Sequence, residues 1–288
     1  MYIFRTITPL QQFVTQQKES GKRIGFVPTM GALHQGHISL LGYCGEQTEV
    51  SVCSIFVNPT QFNVKEDFEK YPRTIEADIL LLEQHGCHVL FLPDVTEIYP
   101  LGAAPEPVYD FGLLDKVMEG SHRPGHFNGV AQVVNRLLQI VQPNALFMGQ
   151  KDYQQVKIID SLLKQTNSLV QLVMCPTLRE PDGLAMSSRN VRLTPHNREQ
   201  AFHIYQALLI AALSLSANQT PAKAQQTALQ YLTQHLPQAV IEYLEIVNAY
   251  TLQKPDSVPV NTPLVICVAL WLGNVRLIDN LPMNKGHV

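Results

Sequence analysis

Along the first two thirds of the chain, short apolar runs alternate with amphipathic stretches, and this alternation most constrains the fold. Ile24 to Val27, Val50 to Val57, His88 to Leu92, Ala145 to Met148 and Leu169 to Val173 are too short for full helices. They are rich in branched or aromatic residues and read as buried strands. Helical patterns lie between them, roughly Leu40 to Glu46, Thr74 to His85, Val130 to Val141 and Tyr153 to Gln165. In one of these, Val130, Val133, Val134, Leu137, Leu138 and Val141 recur at helical spacing. Strand alternating with helix implies an α/β domain, a doubly wound parallel sheet covered on both faces. Ligands in such sheets bind beyond the carboxyl ends of the strands.

The texture changes after about residue 178. One helical stretch follows Pro195, and Thr220-Pro221 opens another as a cap with proline in the first turn. Strand-like runs follow at Ile241 to Val247, Leu264 to Leu270 and Val275 to Ile278. The expected organisation is a first domain over 1–177 and a smaller α+β domain over 178–288.

Composition removes several classes of function. With 21 Lys plus Arg against 24 Asp plus Glu, the net charge of -3 offers polyanions no long-range attraction, so nucleic acid is not an expected partner. No apolar run approaches the roughly 18 residues of a membrane span. The first residues, MYIFRTITPLQQF, lack a signal peptide's apolar region, so a cytoplasmic location is expected. Cys44, Cys53, Cys87, Cys175 and Cys267 are scattered, odd in number and form no CxxC pair, which argues against a zinc site or a disulfide framework. They read as buried structural thiols.

The segment PTMGALHQGH directly follows the first expected strand. If a helix starts there, His34 and His37 share a face of its first turn. A helix start presents N–H groups and a positive dipole end, and Gly31 and Gly36 let a nucleotide approach the backbone. Two imidazoles in that setting suit the negative charge that builds on a phosphate under attack. At the end of the fourth run, Gly149-Gln150-Lys151-Asp152 offers close backbone approach and a point charge for phosphates, and Gln155 an amide for a polar substrate. Asn58 and Gln61 close the second strand at the same sheet edge, where their amides suit a hydroxyl or carboxylate; Asn58 before Pro59 also suits an Asx turn. Arg123 lies in a Gly/Pro-punctuated loop, placed either to approach an anion or to pair with Glu119.

His-x-Gly-His after a strand is the signature of nucleotidyltransferases that resemble class I aminoacyl-tRNA synthetases. Their second, serine-rich phosphate loop corresponds here to Met186-Ser187-Ser188-Arg189, with hydroxyls and one guanidinium in place of lysines. Together, PTMGALHQGH, FVNPTQF, EGSHRPGHFNGV, GQKDYQQ and REPDGLAMSSRN closely resemble the pantoate–β-alanine ligase family, and Arg276-Leu277-Ile278-Asp279-Asn280 is similar to its C-terminal region. The matches run in the family's order from about residue 26 to 193. Leu178 departs from the family's usual valine.

The resemblance implies a Rossmann-like domain of the His-x-Gly-His type and a C-terminal lid. It implies two steps: pantoate attacks ATP to give pantoyl adenylate and pyrophosphate, and β-alanine then displaces AMP to give pantothenate. It places Met30, Gly31, Ala32, Leu33, His34, Gln35, Gly36 and His37 on ATP. Gly149, Gln150, Lys151, Asp152, Leu178, Met186, Ser187, Ser188 and Arg189 join them there. Gln61 and Gln155 would hold pantoate, with Asn58 and Arg123 as further candidates, and His37 would donate a proton beside His34 and Lys151. It also implies Mg²⁺ accompanying ATP without a protein metal site, and a homodimer. Two rivals are another nucleotidyltransferase of this type and a non-catalytic nucleotide-binding protein. The first calls for more cations around the acceptor pocket than Gln61 and Gln155 supply; the second leaves both histidines and Lys151 without a task.

Overall fold

In the computed structural model, the described residues are 1–61, 69, 71–100, 107–257 and 263–283. Phe62, the last residue of the FVNPTQF motif, lies outside them. Chain contacts divide the molecule into two compact units. One comprises Met1–Asp115, Glu119–Gly149 and Gln155–Pro176, the other Lys116–Met118, Gln150–Gln154 and Thr177–Val288.

The first unit is built on a six-stranded sheet of β1 (Tyr2–Phe4), β2 (Ile24–Thr29), β3 (Val50–Ile55), β4 (Val89–Phe91), β5 (Ala145–Gly149) and β6 (Gln171–Cys175). The order is β1-β4-β3-β2-β5-β6, and every pairing is parallel. Successive residues alternate between two cores, as a pleated strand buried on both faces requires. Phe26 and Val52 belong to one core, with Leu10 and Val14 of α1 (Ile7–Glu19). The same core takes Val130, Val134, Leu137 and Leu138 of α6 (His126–Val141) and Ile158, Ile159 and Leu162 of α7 (Tyr153–Gln165). Val27 and Cys53 belong to the other, with Leu40, Leu41 and Cys44 of α2 (Gln35–Gln47) and Leu82 of α3 (Ile75–Gln84). Two short helices, α4 (Val95–Ile98) and α5 (Glu119–His122), complete this unit. Strand order reverses between β2 and β5, so the loops leaving Thr29 and Gly149 stand at the switch point where doubly wound sheets bind ligands.

The second unit holds an antiparallel sheet, β7 (Ala239–Asn248), β8 (Leu264–Leu272) and β9 (Val275–Met283), in the order β7-β8-β9. Its core joins Val268 and Leu270 of β8 to Leu208 and Ala211 of α9 (His203–Ser216) and Leu232 of α10 (Pro221–His235). Thr220 caps α10 through its hydroxyl, which accepts from Lys223 N at 3.3 Å, and Pro221 sits in the first turn. A short α8 (Pro195–Gln200) starts the same way, Thr194 accepting from Asn197 N at 3.3 Å.

Three departures from expectation have a clear physical reason. β6 begins at Gln171 rather than Leu169, because β5 sets its register through Ala145 opposite Gln171; Leu169 is 99% exposed. β9 continues past Ile278 to Met283 and carries Pro282, which an edge strand tolerates because one side of it needs no ladder donor. β1 and α1 precede the first expected strand: β1 has three residues, none fully buried, and α1 buries only Leu10 and Val14.

Candidate active site

β2 ends in a turn that cannot be regular. Gly31 and Ala32 take φ values of 80° and 50°, the left-handed region. Thr29 Oγ1 donates to Ser54 O at 2.7 Å and accepts from Gly31 N at 3.2 Å. The next two N–H groups, of Ala32 and Leu33, donate to the Asp78 carboxylate at 2.9 and 2.8 Å. His34 then caps α2: its Nδ1 accepts from Gly36 N at 3.1 Å, and His37 Nδ1 accepts from His34 N at 3.3 Å. This is a capping box built from two imidazoles, with ring centroids 4.2 Å apart. Because each Nδ1 accepts a backbone N–H, the proton of each neutral ring sits on Nε2. The helix start therefore does not offer the bare row of N–H groups that its sequence suggests: the turn consumes several of them, and the imidazole Nε2–H groups are its distinctive donors.

A 3-10 turn, Pro59–Gln61, follows β3. The Gln61 side chain is buried and its Nε2 lies against Met30 Sδ, so the two motifs meet. His126 fixes the Gln61 backbone. Its Nδ1 donates to Gln61 O at 2.9 Å, while its Nε2 accepts from Arg123 Nη1 at 3.1 Å. Arg123 also lies 3.8 Å from Glu119. Of its two readings, the pairing with Glu119 is the one observed, and Arg123 supports Gln61 through His126. Asn58 is 1% exposed: Nδ2 donates to Gly129 O, and Oδ1 accepts from Thr60 N, Thr60 Oγ1 and Tyr99 Oη. These four internal bonds occupy the amide oxygen and one of its N–H groups, so Asn58 builds the turn that presents Gln61. Gln155 is half-buried near the start of α7.

In the second unit, Lys151 sits on the 3-10 turn Gln150–Asp152, its ammonium 3.8 Å from Asp152. Asn280 of β9 holds that turn, Nδ2 donating to Gln150 O and Lys151 O at 2.9 Å each. The neighbouring Asp279 holds Arg179, in the segment that leads into the serine loop. Arg179 donates to both Asp279 oxygens, at 2.6 and 3.0 Å, to Asn280 O at 3.2 Å and to Gly183 O at 3.0 Å. Its guanidinium lies 3.7 Å from the centre of the Tyr205 ring. Burial pushes the Asp279 carboxyl up from its ordinary value, and the Arg179 fork opposes that shift. Leu178 O accepts from Met186 N at 3.0 Å at the base of the loop, and Ser187 Oγ accepts from Arg189 N at 3.2 Å. Lys151, Ser187, Arg189, Arg276 and Asp279 line one cleft. The lysine and the serine–arginine loop, 36 residues apart between Lys151 and Ser187, are thus brought together. Gly149 faces open space, and Ser188 is half-buried.

Asp78, His126, Arg179 and Asn280 escaped the motif reading, although most of them lie within quoted segments. Asp78 had a signal of its own: a carboxylate four residues before the core residue Leu82, on the apolar stripe of α3.

Comparison with known proteins gives one answer. A family model described as pantoate-beta-alanine ligase matches residues 2–282. A pantothenate synthetase of Cytophaga hutchinsonii is 45% identical over 280 residues, 96% of this chain and 98% of that protein. One from Aquifex aeolicus is 43% identical over 284 residues, 96% of this chain and 97% of that protein. The crystal structure of pantothenate synthetase from Thermus thermophilus superposes with a TM-score of 0.90 at 38% identity, covering 98% of this chain and 99% of that one. The pantoate-beta-alanine ligase of Francisella tularensis, complexed with beta-gamma ATP and beta-alanine, gives 0.77 at 35% identity, covering 98% and 97%. With its sheet topology, paired imidazoles and basic cleft already described, the chain belongs to the pantoate–β-alanine ligase family.

Proposed function

We propose that the residues just described divide the labour of an AMP-forming ligase that joins pantoate to β-alanine. ATP is bound by Met30, Gly31, Ala32, Leu33, His34, Gln35, Gly36 and His37, by Gly149 to Asp152, and by Leu178 and Met186 to Arg189. Gln61 and Gln155 hold pantoate, and Gln61 borders the β-alanine position. In the first step a pantoate carboxylate oxygen attacks the α-phosphorus, the bond to the β-phosphate bridging oxygen breaks, and pyrophosphate leaves. The histidine Nε2–H groups donate to the oxygens on which charge accumulates, and Lys151 and Arg189 offset charge on the phosphates. In the second step the β-alanine amine attacks the adenylate carbonyl, loses a proton and expels AMP. Magnesium enters as MgATP, its coordination filled largely by phosphate oxygens and water, since it dehydrates reluctantly. The smaller unit acting as a lid, a homodimer and a cytoplasmic location belong to the same proposal. Among the described residues no helix is long and apolar enough to cross a membrane.

The observation that carries this reading is the imidazole capping box, which fixes both rings and assigns their protons to Nε2. His37→Ala is therefore expected to lower turnover by roughly 10² to 10⁴, the share of a positioned acid or oxyanion donor. The assay follows AMP with ATP, Mg²⁺, pantoate and β-alanine present, and again with each omitted. Loss of the cap alone costs only about 1 kcal/mol of stability, so a folded variant is expected. Near-normal turnover in it removes the role.

A further inference from the structure

We propose that Asp78 is the positioning residue of the catalytic histidines, an inference that rests on the role assigned above to His34 and His37. Asp78 is 2% exposed on α3, and the hydrogen bonds it accepts come from neutral donors: Ala32 N, Leu33 N and, at 3.1 Å, Thr74 Oγ1. A buried carboxylate is costly, and backbone N–H groups compensate it only when held in place. Here the compensation runs both ways. The two N–H groups belong to the turn whose Gly31 and Ala32 are left-handed, a conformation that costs a non-glycine residue about 1–2 kcal/mol. Such strain persists only where the surroundings over-determine it.

The fit around the carboxylate is close. A Cβ added to Gly31 would stand 3.1 Å from Asp78 Oδ2 and 3.1 Å from Ile55 Cγ2. Thr74 fixes the other end, since Asp78 N donates to Thr74 O at 2.9 Å while the Thr74 hydroxyl donates to Oδ1. Leu33, held by Oδ1, is the residue immediately before His34, whose extended φ of -144° makes it the cap of α2. Asp78 thus sets where α2 begins, and with it where both rings stand.

Asp78→Asn keeps the shape and one acceptor but turns an NH₂ group toward a backbone N–H. In the full-length enzyme kcat is expected to fall roughly 10- to 100-fold, as small misplacements of catalytic groups do, with the KM for β-alanine within about threefold. The deciding measurement is a double-mutant cycle with His37→Ala. Beside His37→Ala, where part of what Asp78 positions is already gone, Asp78→Asn is expected to cost less than about threefold. Equal fold-losses in both backgrounds, or wild-type kcat in Asp78→Asn, overturn the proposal. Normal turnover in His37→Ala alone overturns the histidine reading beneath it. Should Asp78→Asn fail to fold, Thr74→Val removes only the hydroxyl donor to Oδ1 and is read in the same cycle. A kcat loss of about threefold is then expected with His37 present and none without it, and equal losses again overturn the link.

Discussion

Replacing Asn280 with leucine removes three hydrogen bonds while leaving the side-chain volume nearly unchanged. The weakest runs from Gln150 Nε2 to Asn280 Oδ1 at 3.4 Å. The other two are 2.9 Å long and end on carbonyls of the turn that carries Lys151, those of Gln150 and Lys151 itself. Asn280 is 2% exposed, so water does not simply take its place. Each net bond contributes about 1 kcal/mol, and leaving its acceptor without a donor raises the cost, for a total of roughly 2–3 kcal/mol. For a chain of this size that lowers the melting temperature by about 3–5 °C. The turn then loses its anchor, and the KM for ATP is expected to rise about tenfold as the Lys151 charge is misplaced. Calorimetry and steady-state kinetics with ATP varied measure both effects. Asn280→Asp sets carboxylate oxygens against the two carbonyl oxygens and should be worse on both counts. Wild-type values in Asn280→Leu, or a milder effect from Asn280→Asp, refute the reasoning.

Two further perturbations test other parts of the structure. In Gly129→Ala the new Cβ would meet Thr60 O at 2.6 Å and Gln61 Cα at 3.0 Å, both backbone atoms. The Gln61 turn must shift, and the KM for pantoate is expected to rise about tenfold with that for ATP less affected, a pattern whose absence counts against Gln61 as a pantoate ligand. The thiols should be inert: none of the five cysteines is in a disulfide, all are buried, and burial pushes Cys87 up to about 11 and Cys175 up to about 12. Their folded values exceed the unfolded value of about 8.5, so their contribution to stability is complete below that pH and is lost as pH rises through about 11. Urea midpoints should fall between pH 8.5 and 11, and a thiol reagent at pH 8 should react slowly until denaturant is added. A thiol that reacts fast in the native enzyme contradicts this.

The strands of the first unit were legible because each is buried on both faces and reads as an unbroken apolar run, as in Val50–Ile55. Tyr2–Phe4 was not, since an edge strand with exposed Tyr2 and Ile3 carries no such run. α1 was equally silent: two buried residues in 13 leave little periodicity. The histidine pair was visible as a motif because both partners lie on one turn. The groups that hold the site were hidden for the opposite reason. Asn58 meets Gly129 and Tyr99, and His126 meets Gln61, across separations of 41 to 71 residues. Arg179 meets Asp279 across 100 residues. Spacing along the chain cannot show such pairs; only the packing of the helices around the sheet does. Arg123 illustrates the limit, because its i,i+4 partner Glu119 was readable and its relay through His126 to Gln61 was not.

Asn280 reaches back 129 residues to hold the carbonyl of Lys151. During synthesis the ribosome has therefore made the lysine long before it makes the clasp, and five of the six strands of the first sheet emerge earlier still. The parallel sheet can collapse on a nascent chain while the Lys151 turn stays unlatched. Long-range closure of this kind is slow, and domains tend to fold in order of synthesis. Affinity for ATP should consequently be among the last properties acquired by a newly made molecule, appearing only after β9 has docked on β8.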